Sequence, residues 1–62
     1  MSLQGGSLGR AALRIEWAAR ALTAAADDLQ AAGATAAADV VSEEADRVEG
    51  LAGEVRELAT AA

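Results

Sequence analysis

A chain of 62 residues accommodates one domain, and a core of this size rarely contributes more than about 3–5 kcal/mol of stability by itself. Cysteine and histidine are both absent, which excludes disulfides, thiol nucleophiles and the usual ligands of zinc. The net charge of −5 disfavours nucleic acid as a partner, because such binding depends on neutralising phosphates. No apolar run approaches the roughly 18 residues of a membrane span and no secretory signal is recognisable, so we expect a soluble, cytoplasmic protein without a membrane partner.

The first half of the chain carries a seven-residue apolar repeat. Its large residues are Leu8, Ile15, Leu22 and Leu29, and alanine stands three and four positions after each of the first three. In heptad notation the large residues take position a and the alanines positions d and e, which predicts an amphipathic α-helix over about 7–32. Ser7 is a suitable N-cap, and Gly33 stands where a left-handed C-terminal cap belongs. We expect residues 1–6 to form a flexible segment before this helix.

The second half repeats the same spacing with different residues. Valine takes position a at Val41, Val48 and Val55, and leucine takes position d at Leu51 and Leu58. Alanine again recurs at position e, whereas Glu44 interrupts position d. These features predict a second helix over about 36–61, with Thr35 as its N-cap.

A break in phase separates the two repeats. From Leu29 to Val41 the a positions step by twelve residues, which fits neither a seven-residue nor an eleven-residue repeat and favours a turn at about 33–35. Two helices of similar length joined by a short turn form an antiparallel hairpin. We therefore predict an all-α fold, an antiparallel two-helix hairpin over residues 7–62. Large apolar residues are few, so we expect two copies to associate into a four-helix bundle.

The two repeats define a predicted seam between the helices. Its members are Leu8, Ile15, Ala18, Leu22, Ala25, Leu29, Val41, Val48, Leu51, Val55 and Leu58. The small alanine side chains at positions d and e, including Ala18 and Ala25 of the first helix, are expected to bring the helix axes to the close end of the usual range of about 8–10 Å.

The charges are distributed in a way that favours antiparallel pairing. Residues 1–20 contain three arginines and one glutamate, a net of +2, whereas residues 21–62 contain two arginines and nine carboxylates, a net of −7. Folding the chain about its turn places residue i beside roughly residue 67 minus i, so Arg10 is expected near Glu57. By the same count Arg14 is expected near Glu54.

Two apolar residues of the first helix fall outside the predicted seam. Trp17, the one aromatic residue, and Leu13 take positions c and f. Tryptophan is enriched at the centres of interfaces, and Gly50 and Gly53 of the second helix stand at similar heights, where a bulky group is expected to approach closely. We predict that Leu13, Trp17, Gly50 and Gly53 form an interface. The alternative is that Leu13 and Trp17 only widen the core stripe.

The carboxylates are the only groups that suggest chemistry. Glu43, Asp46 and Glu49 recur every three residues, and acidic helical bundles can hold Mg²⁺ for phosphate chemistry. A solvated acidic face explains the same spacing and is favoured. Neither Ser7 nor Thr23 has a base placed to activate it. We expect no catalytic residue, no cofactor and no metal ligand.

These observations favour a non-enzymatic module for protein interaction and oligomerisation. Its expected partner is a second copy of the chain, with a homodimer favoured, or else a heterologous helical partner. The alternative is a small metal-dependent nucleotide-handling enzyme or subunit that uses helical carboxylates.

Overall fold

A computed structural model describes residues 3–61 of the chain, and the side chains of residues 6–61. It contains two α-helices, α1 over Leu3–Ala31 and α2 over Thr35–Ala61, joined by residues 32–34. The helices pack against each other along their length, and their Cα framework measures 48 × 13 × 8 Å. The predicted all-α two-helix hairpin is therefore confirmed.

The turn is set by one glycine. Gly33 has a φ of 84°, in the left-handed region that L side chains rarely adopt. The amide of Ala34 donates a hydrogen bond to the carbonyl of Leu29 at 2.9 Å, and the amide of Gly33 donates to the carbonyl of Gln30 at 3.0 Å. These two bonds form a Schellman motif, which satisfies carbonyls that the end of α1 leaves free. The predicted role of Gly33 as a C-terminal cap is confirmed.

Both predicted N-caps need correction. Helix α1 already includes residues 3–6, so Ser7 lies inside the helix, where its hydroxyl accepts a bond from Arg10 at 3.2 Å. Glycine lowers helix propensity by only about 1 kcal/mol per residue, and so does not prevent the helix from continuing through this segment. Residues 1 and 2 of the predicted flexible segment lie outside the described residues. Thr35 is the first helical residue of α2, because the carbonyl of Ala34 already accepts the bond from Ala38.

Alanine alone forms the buried centre of the hairpin. The buried side chains are Ala12, Ala19, Ala26, Ala38, Ala45 and Ala52. All six occupy position e, which is one of the two alanine positions, d and e, at which we expected close packing. Ala18 and Ala25 are exposed, and so are Leu51 and Leu58. Each helix is therefore rotated by about 50° from the predicted orientation, which places the position with the smallest side chains toward its neighbour.

The width of the hairpin shows how closely the helices approach. The Cα framework is 13 Å wide across both helices. Subtracting a Cα radius of about 2.3 Å for each helix leaves about 8 Å between the axes, the close end of the range for packed helices. Close packing was the expected result, but the residues responsible are those at position e. A column of larger side chains there would force the axes apart.

The antiparallel arrangement gives the hairpin two different faces. With position e at the contact, position a of both helices lies on one side and position b of both lies on the other. We call the first side the apolar face; it consists of Leu8, Ile15, Leu22, Leu29, Val41, Val48 and Val55, all half-buried. We call the second side the polar face; it includes Glu16 and Arg56, whose side chains form a salt bridge between the helices. The large residues therefore cover the alanine seam from one side only.

Replacement of Ala19 by leucine is expected to overpack the seam and to destabilise the protein by about 1–3 kcal/mol. The matched control is Ala24→Leu, at an exposed position of the same helix. Leucine and alanine have similar helix propensities, so the control should be nearly silent. Urea denaturation at one fixed chain concentration measures both variants. Equal midpoints for the two variants would contradict the seam at position e.

Replacement of Gly33 by alanine should destabilise the hairpin by about 1–2 kcal/mol, because alanine is strained at a φ of 84°. The control is Gly33→Asn, which tolerates the left-handed conformation and should lose less. Thermal melts followed by circular dichroism are the measurement. An unchanged melting temperature for Gly33→Ala would show that the turn does not depend on this cap.

Candidate interaction surfaces

The apolar face is the largest surface on which large apolar side chains remain accessible. It continues outward on α2 to Leu51 and Leu58, whose exposed fractions are 49% and 57%. On α1 it continues to three alanines at position d, which are Ala11, Ala18 and Ala25. Among residues 6–61 no leucine, isoleucine, valine or tryptophan is buried. Contiguous apolar surface of this extent is typical of a site where another protein binds.

Helix α1 carries a second, smaller apolar patch. Leu13 and Trp17 have exposed fractions of 44% and 56% and lie one turn apart. Trp17 is two positions from the buried Ala19, about 200° around the helix, so it projects away from α2. This Leu13–Trp17 patch is therefore separate from the apolar face.

The indole of Trp17 does not approach Gly50 or Gly53 within the chain. A Cβ atom added to either glycine would meet no atom within 4 Å. The physical reason is rotation: with position e at the contact, both glycines lie on the side of α2 that faces away from the apolar face and from α1. Trp17 therefore does not approach Gly50 inside one hairpin, and an interface formed by these residues with another chain stays a prediction. Within one chain the predicted interface residues lie on the outer sides of the two helices, away from the contact between them.

The predicted ion pairs between the helices are also replaced. Among residues 6–61 the ion pairs are Glu16–Arg56 between the helices and Arg47–Glu44 within α2, the latter at 2.8 Å. Arg10 and Glu57 take position c, on the outer sides of their helices, which explains why they do not meet. Arg14 and Glu54 take position g, at opposite outer edges of the apolar face. Both of these side chains are exposed, and neither has an ionic partner among residues 6–61.

The polar face contains a shallow hollow of about 110 Å³. It is lined by Glu16, Ala19, Arg20, Thr23 and Glu49. The hydroxyl of Thr23 donates to the carbonyl of Ala19 at 3.1 Å, an ordinary bond within a helix. Nowhere in the described part of the chain do three or more carboxylates converge as a metal site requires. The alternative, a metal-dependent nucleotide-handling enzyme or subunit, therefore gains no metal site from the geometry of the described residues.

The six alanines at the contact are absent from the predicted seam residues, although alanine at position e was expected to allow close packing together with alanine at position d. A signal for them was present. Position e is alanine without interruption from Ala12 to Ala26 and from Ala38 to Ala52, whereas position d contains glutamate and leucine as well. Because every position e along this stretch is alanine, two helices that meet at position e can keep the same short distance along their length.

Comparison with known protein families, with curated proteins and with solved structures finds no match to this chain. Neither of the two helices, over the residues described, is long and apolar enough to cross a membrane. The surfaces of the hairpin are therefore the basis for any functional argument.

Replacement of Gly50 by alanine should raise stability by about 0.5–1 kcal/mol, because alanine favours the helix and its Cβ meets open space. Gly53→Ala should behave in the same way. Thermal melts at matched chain concentration measure both. A loss of stability or of association in either variant would show that a neighbouring group needs the gap, as the sequence suggested.

Proposed function

We propose that this chain is a non-enzymatic oligomerisation module, in which two hairpins pack their apolar faces together to form a four-helix bundle. Its task is to bring together two copies of whatever is attached to it or bound by it. Assembly of this kind requires no cofactor and no catalytic residue.

One observation carries the proposal: among residues 6–61, only alanine side chains are buried. Alanine contributes little apolar area, and the larger side chains on which most cores depend are all at least partly exposed. Chains of about 60 residues are marginally stable even when their leucines and valines are buried. A second apolar face would remove Leu22, Val48 and their neighbours from water and would supply the missing burial.

The apolar face is better suited to this role than the Leu13–Trp17 patch. It has seven large side chains in two parallel rows, so it can form layers with an identical face. The Leu13–Trp17 patch has two, on one helix. An isologous contact between identical faces closes at two copies. A heterologous helical partner on the same face would use the same chemistry, and solution mass distinguishes the two cases.

The wild-type chain should sediment at twice the mass of one chain at micromolar concentration. Dilution should lower helicity together with mass, because a hairpin with an alanine core is not expected to remain stable alone. Analytical ultracentrifugation and far-ultraviolet circular dichroism across one dilution series are the measurements. A fully helical monomer whose stability is independent of concentration would contradict the proposal.

Val48→Asp tests which surface associates. It places a charge at the middle of the apolar face and should yield a monomer with reduced helicity. Ala24→Asp adds the same charge at an exposed position of α1 and should leave the dimer intact. Trp17→Ala, outside the apolar face, should also leave it intact. The opposite result, in which Trp17→Ala dissociates the dimer and Val48→Asp leaves it intact, would show that the chains associate through the Leu13–Trp17 patch.

A further inference from the structure

We infer that the second copy binds with its turn at the same end of the bundle, so that α1 of each chain packs against α2 of the other. This inference rests on the proposed dimer and goes beyond it, because two identical hairpins can also stack with their turns at opposite ends. The side chains along the two edges of the apolar face distinguish the arrangements.

Heights along the hairpin provide the first step. The hollow on the polar face is lined by Glu49 of α2 and by residues of α1 from Glu16 to Thr23, so the numbers of facing residues sum to between about 65 and 72. The Glu16–Arg56 salt bridge lies at the upper end of this range. The middle of the range places residues of α1 and α2 at about equal height when their numbers sum to about 68 or 69. A two-fold axis parallel to the helices leaves every height unchanged. Because α1 of one chain then lies against α2 of the other, an edge residue of α1 faces the edge residue of the other chain's α2 that stands at the same height. No sliding along the axis is possible in this arrangement.

The sizes of the edge residues match on this basis. Ala18 of one chain stands at the height of Leu51 of the other, and Ala11 at the height of Leu58. Each exposed leucine of α2 thus meets a small residue of α1, which has room for it. All four residues occupy position d, on the outer flank of the apolar face.

The charges match as well. Arg14 and Glu54, which have no ionic partner among residues 6–61, also stand at equal height on opposite edges. The two-fold axis brings Arg14 of each chain beside Glu54 of the other and forms this contact twice. Complementary edge charges of this kind fix the register of an interface more than they add affinity.

The opposite arrangement lacks both matches. With the turns at opposite ends, α1 packs on α1 and α2 packs on α2. The alanine edge of α1 then faces another alanine edge, and the edge of α2, which contains Leu51 and Leu58 together with Glu44, faces its own copy. One side of the bundle is then underpacked and the other crowded. Only the packing of α1 of one chain against α2 of the other pairs the alanines of one edge with the leucines of the opposite edge.

The apolar face is also large enough for a stable contact with a second copy. Its Cα framework of 48 by 13 Å covers about 600 Å² before side chains are added, against about 800 Å² per partner in a standard interface. Side chains that extend beyond the framework bring the two values together. A second hairpin of the same length and width covers the face completely.

Spin labels at the turn test the orientation. The chain has no cysteine, so Thr35→Cys introduces a single thiol at an exposed position beside the turn. Pulsed electron paramagnetic resonance should give a distance between the two labels below about 30 Å, because packed helices lie only about 8–10 Å apart. Labels more than about 40 Å apart, near the 48 Å length of the hairpin, would overturn the orientation but not the dimer. No measurable distance would overturn the dimer itself.

A charge exchange tests the order of the helices. At low salt, Arg14→Glu or Glu54→Arg alone should raise the dimer dissociation constant by about tenfold, since each creates two like-charge contacts. The double variant Arg14→Glu/Glu54→Arg should restore the constant. Glu57→Arg, on the outer side of α2, is the matched control and should have little effect alone. It should also fail to rescue Arg14→Glu. Failure of Glu54→Arg to rescue would overturn the pairing of α1 with α2.

Discussion

The contact between two columns of alanine determines the rest of this structure. Six alanines at position e allow the helix axes to approach to about 8 Å, and no larger side chain fits between axes at that distance. The leucines, valines and isoleucine of position a must therefore lie beside the seam. In an antiparallel pair, position a of both helices falls on the same side. Close packing and the collection of large side chains on one face are thus two results of one constraint.

The same constraint leaves the hairpin incomplete. Burial of an alanine side chain removes little apolar area from water. Ordering the backbone costs about 1–2 kcal/mol of conformational entropy per residue. High alanine content favours the helices locally but does not supply a core. Under the proposed function, folding and association are therefore coupled, and stability depends on chain concentration. This is why each stability measurement compares variants at one concentration.

The polar face explains why assembly is proposed to stop at two copies. The Glu16–Arg56 salt bridge is exposed enough that it contributes only about 0–1 kcal/mol of stability. Its position has a second effect, because burial of these charges against another hairpin would be costly. Under the proposed function, hairpins with one apolar and one polar face would therefore form a closed pair and not an open-ended array. The acidic residues of α2 add repulsion between separate dimers.

Much of the fold was available from the sequence alone. The repeats predicted two helices and Gly33 predicted the turn, whereas the a positions were expected within the seam and lie beside it. Local chemistry decides these features: a seven-residue spacing keeps one stripe in line, and only glycine adopts the φ that the cap needs without strain. The missing cysteine and histidine likewise excluded whole classes of chemistry without any structure.

The rotation of each helix about its own axis was decided only by tertiary packing. A turn of about 50° leaves every helical hydrogen bond and propensity unchanged, so periodicity could not distinguish alanine at d from alanine at e. That rotation moved Ala18 and Ala25 out of the seam and exposed Leu51. It also separated Trp17 from Gly50 and placed Arg14 and Glu54 at the outer edges of one face. Sequence determined which residues share a stripe, whereas the closest approach of two helices determined which stripe is buried.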